Sequence, residues 1–230
     1  MKRFNFKALF ASLLCGALVL SASGLSSTAH AAKSVQEVQL KLTSVEIQLK
    51  PNLEMVRTET GDTATVKLID RRTGETTETY SETIESVKSV QGKGINAASG
   101  NYTTVTVKNN RKDGPVTTEL AAKLKIYTNS SFRQINSIES KTMKITNSNS
   151  ATLEDKDIVA ISTSDKFPTQ EVEISGSATI TYKSTSSASA TGAFSVSALT
   201  AAGFEVSITG SQEWEFYARK PVDIGLRYKV

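Results

Sequence analysis

Three groups of side chains in this 230-residue sequence have the types and spacing to do chemistry. The first lies in SQEWEFY, residues 211–217. Read as a strand, this stretch puts Trp214 and Phe216 on one face and Glu213, Glu215 and Tyr217 on the other. An exposed Trp and Tyr stack on sugar rings while neighbouring carboxylates bond to hydroxyls. Glu213 and Glu215, two apart on a strand, stand ~7 Å apart, near the separation of paired glycosidase carboxylates. The plainer reading puts Trp214 in the core, because it falls on the apolar parity and no second Trp exists to build a platform. The second group is Glu154, Asp155 and Asp157, read as a polar loop with Asn147 and Asn149 nearby. Such oxygen clusters bind calcium in β-proteins, but the EF-hand spacing, its glycine and its terminal Glu are missing, and the plain reading is a solvated loop. The third comprises Arg71 with Arg72 and Arg111 with Lys112, read as charged hairpin tips that keep edges soluble or contact an anionic wall polymer.

Other chemistries are excluded by what the chain lacks. Its N-terminus reads as an export signal: Lys2, Arg3 and Lys7, then an apolar run over residues 8–20, then the small-x-small site Ala29-His30-Ala31. Cleavage after Ala31 leaves residues 32–230, a secreted chain, extracellular or held at the cell wall. The only Cys and the only His of the sequence, Cys15 and His30, precede that cut. Residues 32–230 therefore carry no thiol nucleophile, no Ser-His-Asp triad and no imidazole or thiolate metal site. No cofactor is expected; a Ser-Lys dyad survives by composition alone, without a motif. The cut also lowers the charge from 27 basic against 23 acidic residues to 24 against 23, so nucleic acid is not an expected partner. No later segment is apolar enough for a membrane-spanning helix. The short basic signal and the lack of disulfides point to a Gram-positive bacterium.

The elements that must position these residues are strands. Ala64, Val66 and Leu68 alternate with polar residues, as do Leu120, Ala122, Leu124 and Ile126, and Val222, Ile224, Leu226, Tyr228 and Val230. Turns are expected at Asp70–Gly74 and over Asn109–Pro115. One short helical turn is expected near 197–203, with Ser197 as N-cap and Gly203 just past its end. The fold class is therefore all-β, an antiparallel β-sandwich that is elongated if the strands are long, with a soft boundary at residues 146–157.

The Ser/Thr/Ala-rich stretch 178–218 decides between function classes. Of its 21 even positions 15 are hydrophobic, against 4 of its 20 odd ones, a parity that a linker has no reason to keep. In composition and parity, though in no diagnostic motif, this stretch resembles the insertion segment of aerolysin-type pore-forming toxins. That resemblance implies a β-barrel pore former that inserts residues 178–218. Small residues at Ser184, Ser186, Ala188, Ala190 and Gly192, and the absence of two aromatic girdles, favour the wall of a soluble sandwich. The leading expectation is a non-catalytic binding or structural protein acting on a surface or envelope ligand. The pore former is the alternative, and a glycan-binding or glycan-active protein is the third reading.

Overall fold

The computed structural model describes residues 34–90, 100–148 and 150–230; the export segment and Asn149 lie outside them. Among the described residues the alternating runs become strands in two antiparallel sheets. The second sheet is a meander in chain order: β3 (Leu53–Thr60), β4 (Thr63–Asp70), β5 (Thr76–Val90), β6 (Gly100–Asp113), β7 (Val116–Asn129) and β8 (Phe132–Ile145). The first sheet joins the N-terminal hairpin β1 (Ser34–Gln39) and β2 (Ser44–Leu49) to β12 (Phe216–Lys229), β10 (Glu171–Ser184) and β9 (Ala151–Ser162), in that order. A short strand, β11 (Glu205–Ile208), also pairs with β12. The chain passes from one sheet to the other between the end of β8 at Ile145 and the start of β9 at Ala151. The two sheets share one core, with Val66, Val105 and Leu124 of the meander packed in the same cluster as Ile174, Ile180 and Tyr228. Expected inward residues are inward: Ala64, Val66, Leu68, Leu120, Leu124 and Ile126 are all buried.

Turn chemistry sets the registers. Gly74, at φ +70°, donates its N–H to Asp70 O at 2.8 Å and closes the β4–β5 turn where the sequence placed it. The expected turn over Asn109–Pro115 is narrower than its composition suggests. Residues 109–112 belong to β6, and the reversal is made by Gly114, at φ +58°, with Pro115. The β6–β7 ladder then runs without a register shift from Asp113↔Val116 to Asn101↔Thr128. A Cβ at Gly114 would stand 2.4 Å from the Ala202 Cβ. Gly114→Ala therefore combines left-handed strain with a clash and should destabilise the fold by ~2–3 kcal/mol, read as a lower urea midpoint with an unchanged slope.

The helical turn is α1 (Val196–Ala201), and its N-cap is Ser195, not Ser197. Ser195 Oγ accepts the Ala198 N–H at 3.3 Å, which leaves Ser197 inside the first turn. Gly203 follows the helix at φ +82°, as its C-terminal signal requires.

Candidate functional site

The connection from β10 to β12, residues 185–215, folds over one end of the sandwich and is pinned there. Leu199 and Phe204 are buried, and the Phe194 ring stacks on Tyr182 at 4.7 Å. Lys220 Nζ, on β12, donates to Ala202 O at 2.7 Å and pairs with the buried Asp113 carboxylate at 2.8 Å. It also lies over the Phe204 ring, 5.6 Å from the centroid. One cation thus ties the end of α1 to the β6–β7 turn. Burial raises the pKa of the Tyr182 phenol, whose OH donates to Ser189 O.

Beside this anchored segment lies a cavity of about 660 Å³, within the size range of small-molecule sites. Trp214, Ile208, Val196 and Ala190 give it apolar walls, while Ser187, Ser197 and Glu213 bring hydroxyls and one carboxylate. Ile208 is 52 % exposed although it falls on the apolar parity, so its side chain faces this opening and not the core. Trp214 is half-buried.

The expected set Trp214, Tyr217, Glu213 and Glu215 is divided. Residues 209–215 form the β11–β12 turn, closed by Thr209 N–H to Glu215 O at 2.7 Å and Glu215 N–H to Gln212 O at 3.0 Å. Trp214 and Glu213 consequently sit on a turn and not on a strand. Glu213 and Glu215 do not share a face: Glu213 lines the cavity, while the Glu215 side chain lies against Gly210. Tyr217 enters β12 and points to the outer surface of the first sheet, where its OH donates to Glu154 at 3.0 Å.

The acidic group is also rearranged. Glu154, Asp155 and Asp157 are in β9, not in a loop. Between the pairs Ser177↔Asp157 and Thr179↔Glu154 the strand carries one extra residue, and Asp155 takes φ +52° to accommodate it. The bulge puts Glu154 and Asp157 on one face, opposite Thr179 and Ser177, and leaves Asp155 as the irregular residue between them. Glu154 receives Tyr217 and lies 3.7 Å from Arg219, whereas Asp157 borders a shallow depression with Ser177 and Asp223. Among the described residues, no group of three or more acidic, His or Cys side chains could hold a metal. Arg71 and Arg72 are exposed in the β4–β5 turn, but Arg111 and Lys112 are strand residues, Lys112 pairing with Glu75 at 3.0 Å.

The fold and this cavity define an all-β sandwich with a Trp-bearing opening at one end. No protein-family model, curated protein or solved structure matches the chain. Among the described residues no helix is long and apolar enough to cross a membrane. With a single Cys in the sequence, no disulfide forms within the chain.

Proposed function

We propose that this is an exported, non-catalytic binding protein of the cell envelope, which holds a saccharide in the Trp214 cavity. The observation that carries the reading is the position of the chain's single Trp, half-buried in the wall of an opening whose other groups are aliphatic carbons, serine hydroxyls and one carboxylate. A sugar ring has the matching chemistry: a C–H face for the indole and hydroxyls for the Ser and Glu groups. The N-terminal signal supports export, and the near-neutral charge of the chain after Ala31 supports a ligand bound by shape and hydrogen bonds.

Because Trp214 is the only Trp, its fluorescence reports on this site alone. Titration of residues 32–230 with solubilised cell-wall glycan fragments should give a saturable change in emission. Trp214→Ala should weaken binding about tenfold or more in calorimetry, the loss of ~1.4 kcal/mol or more expected of a stacked ring. An unchanged spectrum, or equal affinity in the variant, would overturn the reading. Release of dye from liposomes without any glycan response would favour insertion of residues 178–218 in its place.

A further inference from the structure

The edge of β12 that faces away from β10 is paired at its two ends and unpaired in between. β11 covers Phe216–Arg219, and β2 covers only Tyr228 and Lys229. Past Val45, β2 continues to Leu49 paired with β1 and no longer with β12. Among the described residues, 220–227 therefore have a neighbouring strand on one side only.

Side chains from the opposite sheet reach into this opening. Arg111 Nη1 donates to Asp223 O at 2.9 Å, and Asn109 Nδ2 donates to Gly225 O at 3.2 Å. These are carbonyls that a continuous sheet would pair with a neighbouring strand. In an antiparallel ladder the N–H and C=O of one residue face the same neighbour, so the N–H groups of Asp223 and Gly225 face the opening too. Pro221, two residues earlier on the same parity, has no N–H to leave unpaired, which suits such an edge.

The opening is a slot of about 630 Å³, walled by Glu46 and Gln48 of β2 and by Gly225 and Arg227 of β12, with Tyr80 and Asn109 among the residues from the opposite sheet. Asn109 is 3 % exposed, and its Oδ1 has no hydrogen-bond partner among the described residues. The amide cannot turn to solve this, because Gly225 O needs the Nδ2 donor. A buried acceptor left alone costs ~1–3 kcal/mol, and a ligand N–H would remove that cost. Two cations at the mouth are ion-paired: Arg227 with Glu171 and Glu46, and Lys229 with Glu46 at 2.5 Å. The Lys229 hydrogen bond holds the Glu46 carboxyl below its usual pKa. Tyr80 OH donates to Glu78 at 2.6 Å, and burial raises the pKa of that phenol. Acidic and basic side chains both line the slot, and its backbone edge adds hydrogen-bonding groups.

We infer that this slot binds an extended peptide, which adds its main chain to β12 between β11 and β2 and gives an N–H to Asn109 Oδ1. Asp223–Arg227 presents ~14–17 Å of edge, enough for about four or five ligand residues. Nothing lies within 4 Å of where a Cβ of Gly225 would stand, so a ligand side chain has room there.

The test uses residues 32–230 and a library of acetylated, amidated pentapeptides randomised over Ser, Thr, Val and Ala, with amide NMR as readout. Saturable shifts at Gly225 and Arg227, with at least tenfold slower exchange of the Gly225 N–H, are expected. A library N-methylated at alternate residues should lose binding tenfold or more, and Asn109→Ala should do the same if it folds. Unshifted Gly225 and Arg227 signals at millimolar peptide would overturn the inference, whatever the variant does. So would equal binding of the N-methylated library, or the same shifts appearing through self-association without peptide.

Discussion

Removal of residues 222–230 is expected to abolish cooperative unfolding. β12 is an interior strand of the first sheet, in register with β10 from Phe216↔Ser184 to Lys229↔Glu171 without a break. Its inward side chains Val222, Ile224, Leu226 and Tyr228 are 0–3 % exposed. Burial of four such side chains is worth ~6–12 kcal/mol, comparable with the whole stability of a domain, ~5–15 kcal/mol. The loss also strips residues 171–178 of β10 of their β12 partners and β2 of its ladder to the sheet. Thermal and urea unfolding followed by circular dichroism checks this; a truncated chain melting like the parent would show that the strand is not integral.

The second large effect centres on Glu82, a fully buried carboxylate in β5. It accepts from the Lys41 N–H at 2.9 Å, the Leu42 N–H at 3.1 Å, and both the N–H and the hydroxyl of Thr43, at 3.2 and 2.9 Å. One side chain of the second sheet thereby caps the β1–β2 turn of the first. Thr43 is fully buried, so its two donors have no solvent to turn to, while Lys41 and Leu42 are half-buried. Glu82→Ala should cost ~2–4 kcal/mol, the penalty of donors left unsatisfied. Glu82→Gln should fall between, because its NH₂ meets donors where an oxygen stood. Urea midpoints measure the global loss. Hydrogen exchange should show the largest local loss of protection in β1 and β2, whose backbone pairing with β12 is limited to Val45 and Ser44. Uniform loss across both sheets would contradict this role for the carboxylate.

The strands were legible because burial on one face of a sheet imposes a period of two, and that period is written in the residues themselves. Val222 to Tyr228 and Leu120 to Ile126 needed no further information. Where the parity is interrupted, reading along the chain misleads. From Ser184 to Gly192 the even positions hold small residues, and past β10 tertiary packing turned the chain into coil and α1. At Trp214 the strand pattern was extended through what is a turn, and at residues 154–157 a polar run read as a loop is a bulged stretch of β9.

By itself the sequence determined the class of fold, the inward faces of its long strands, the glycines at its turns, and the absence of Cys and His after residue 30. All of these depend on local chemistry: side-chain alternation, backbone freedom at Gly, or presence or absence of a residue type. Only the tertiary structure decided that Trp214 and Glu213 line one cavity without Tyr217 and Glu215. It also decided that Glu82 serves a turn some forty residues away, and that Asn109 stands beside Gly225, 116 positions apart. Those pairings come from which strands become neighbours and where β2 parts from β12. That depends on how two sheets pack over a common core, a sum of long-range contacts that no local pattern encodes.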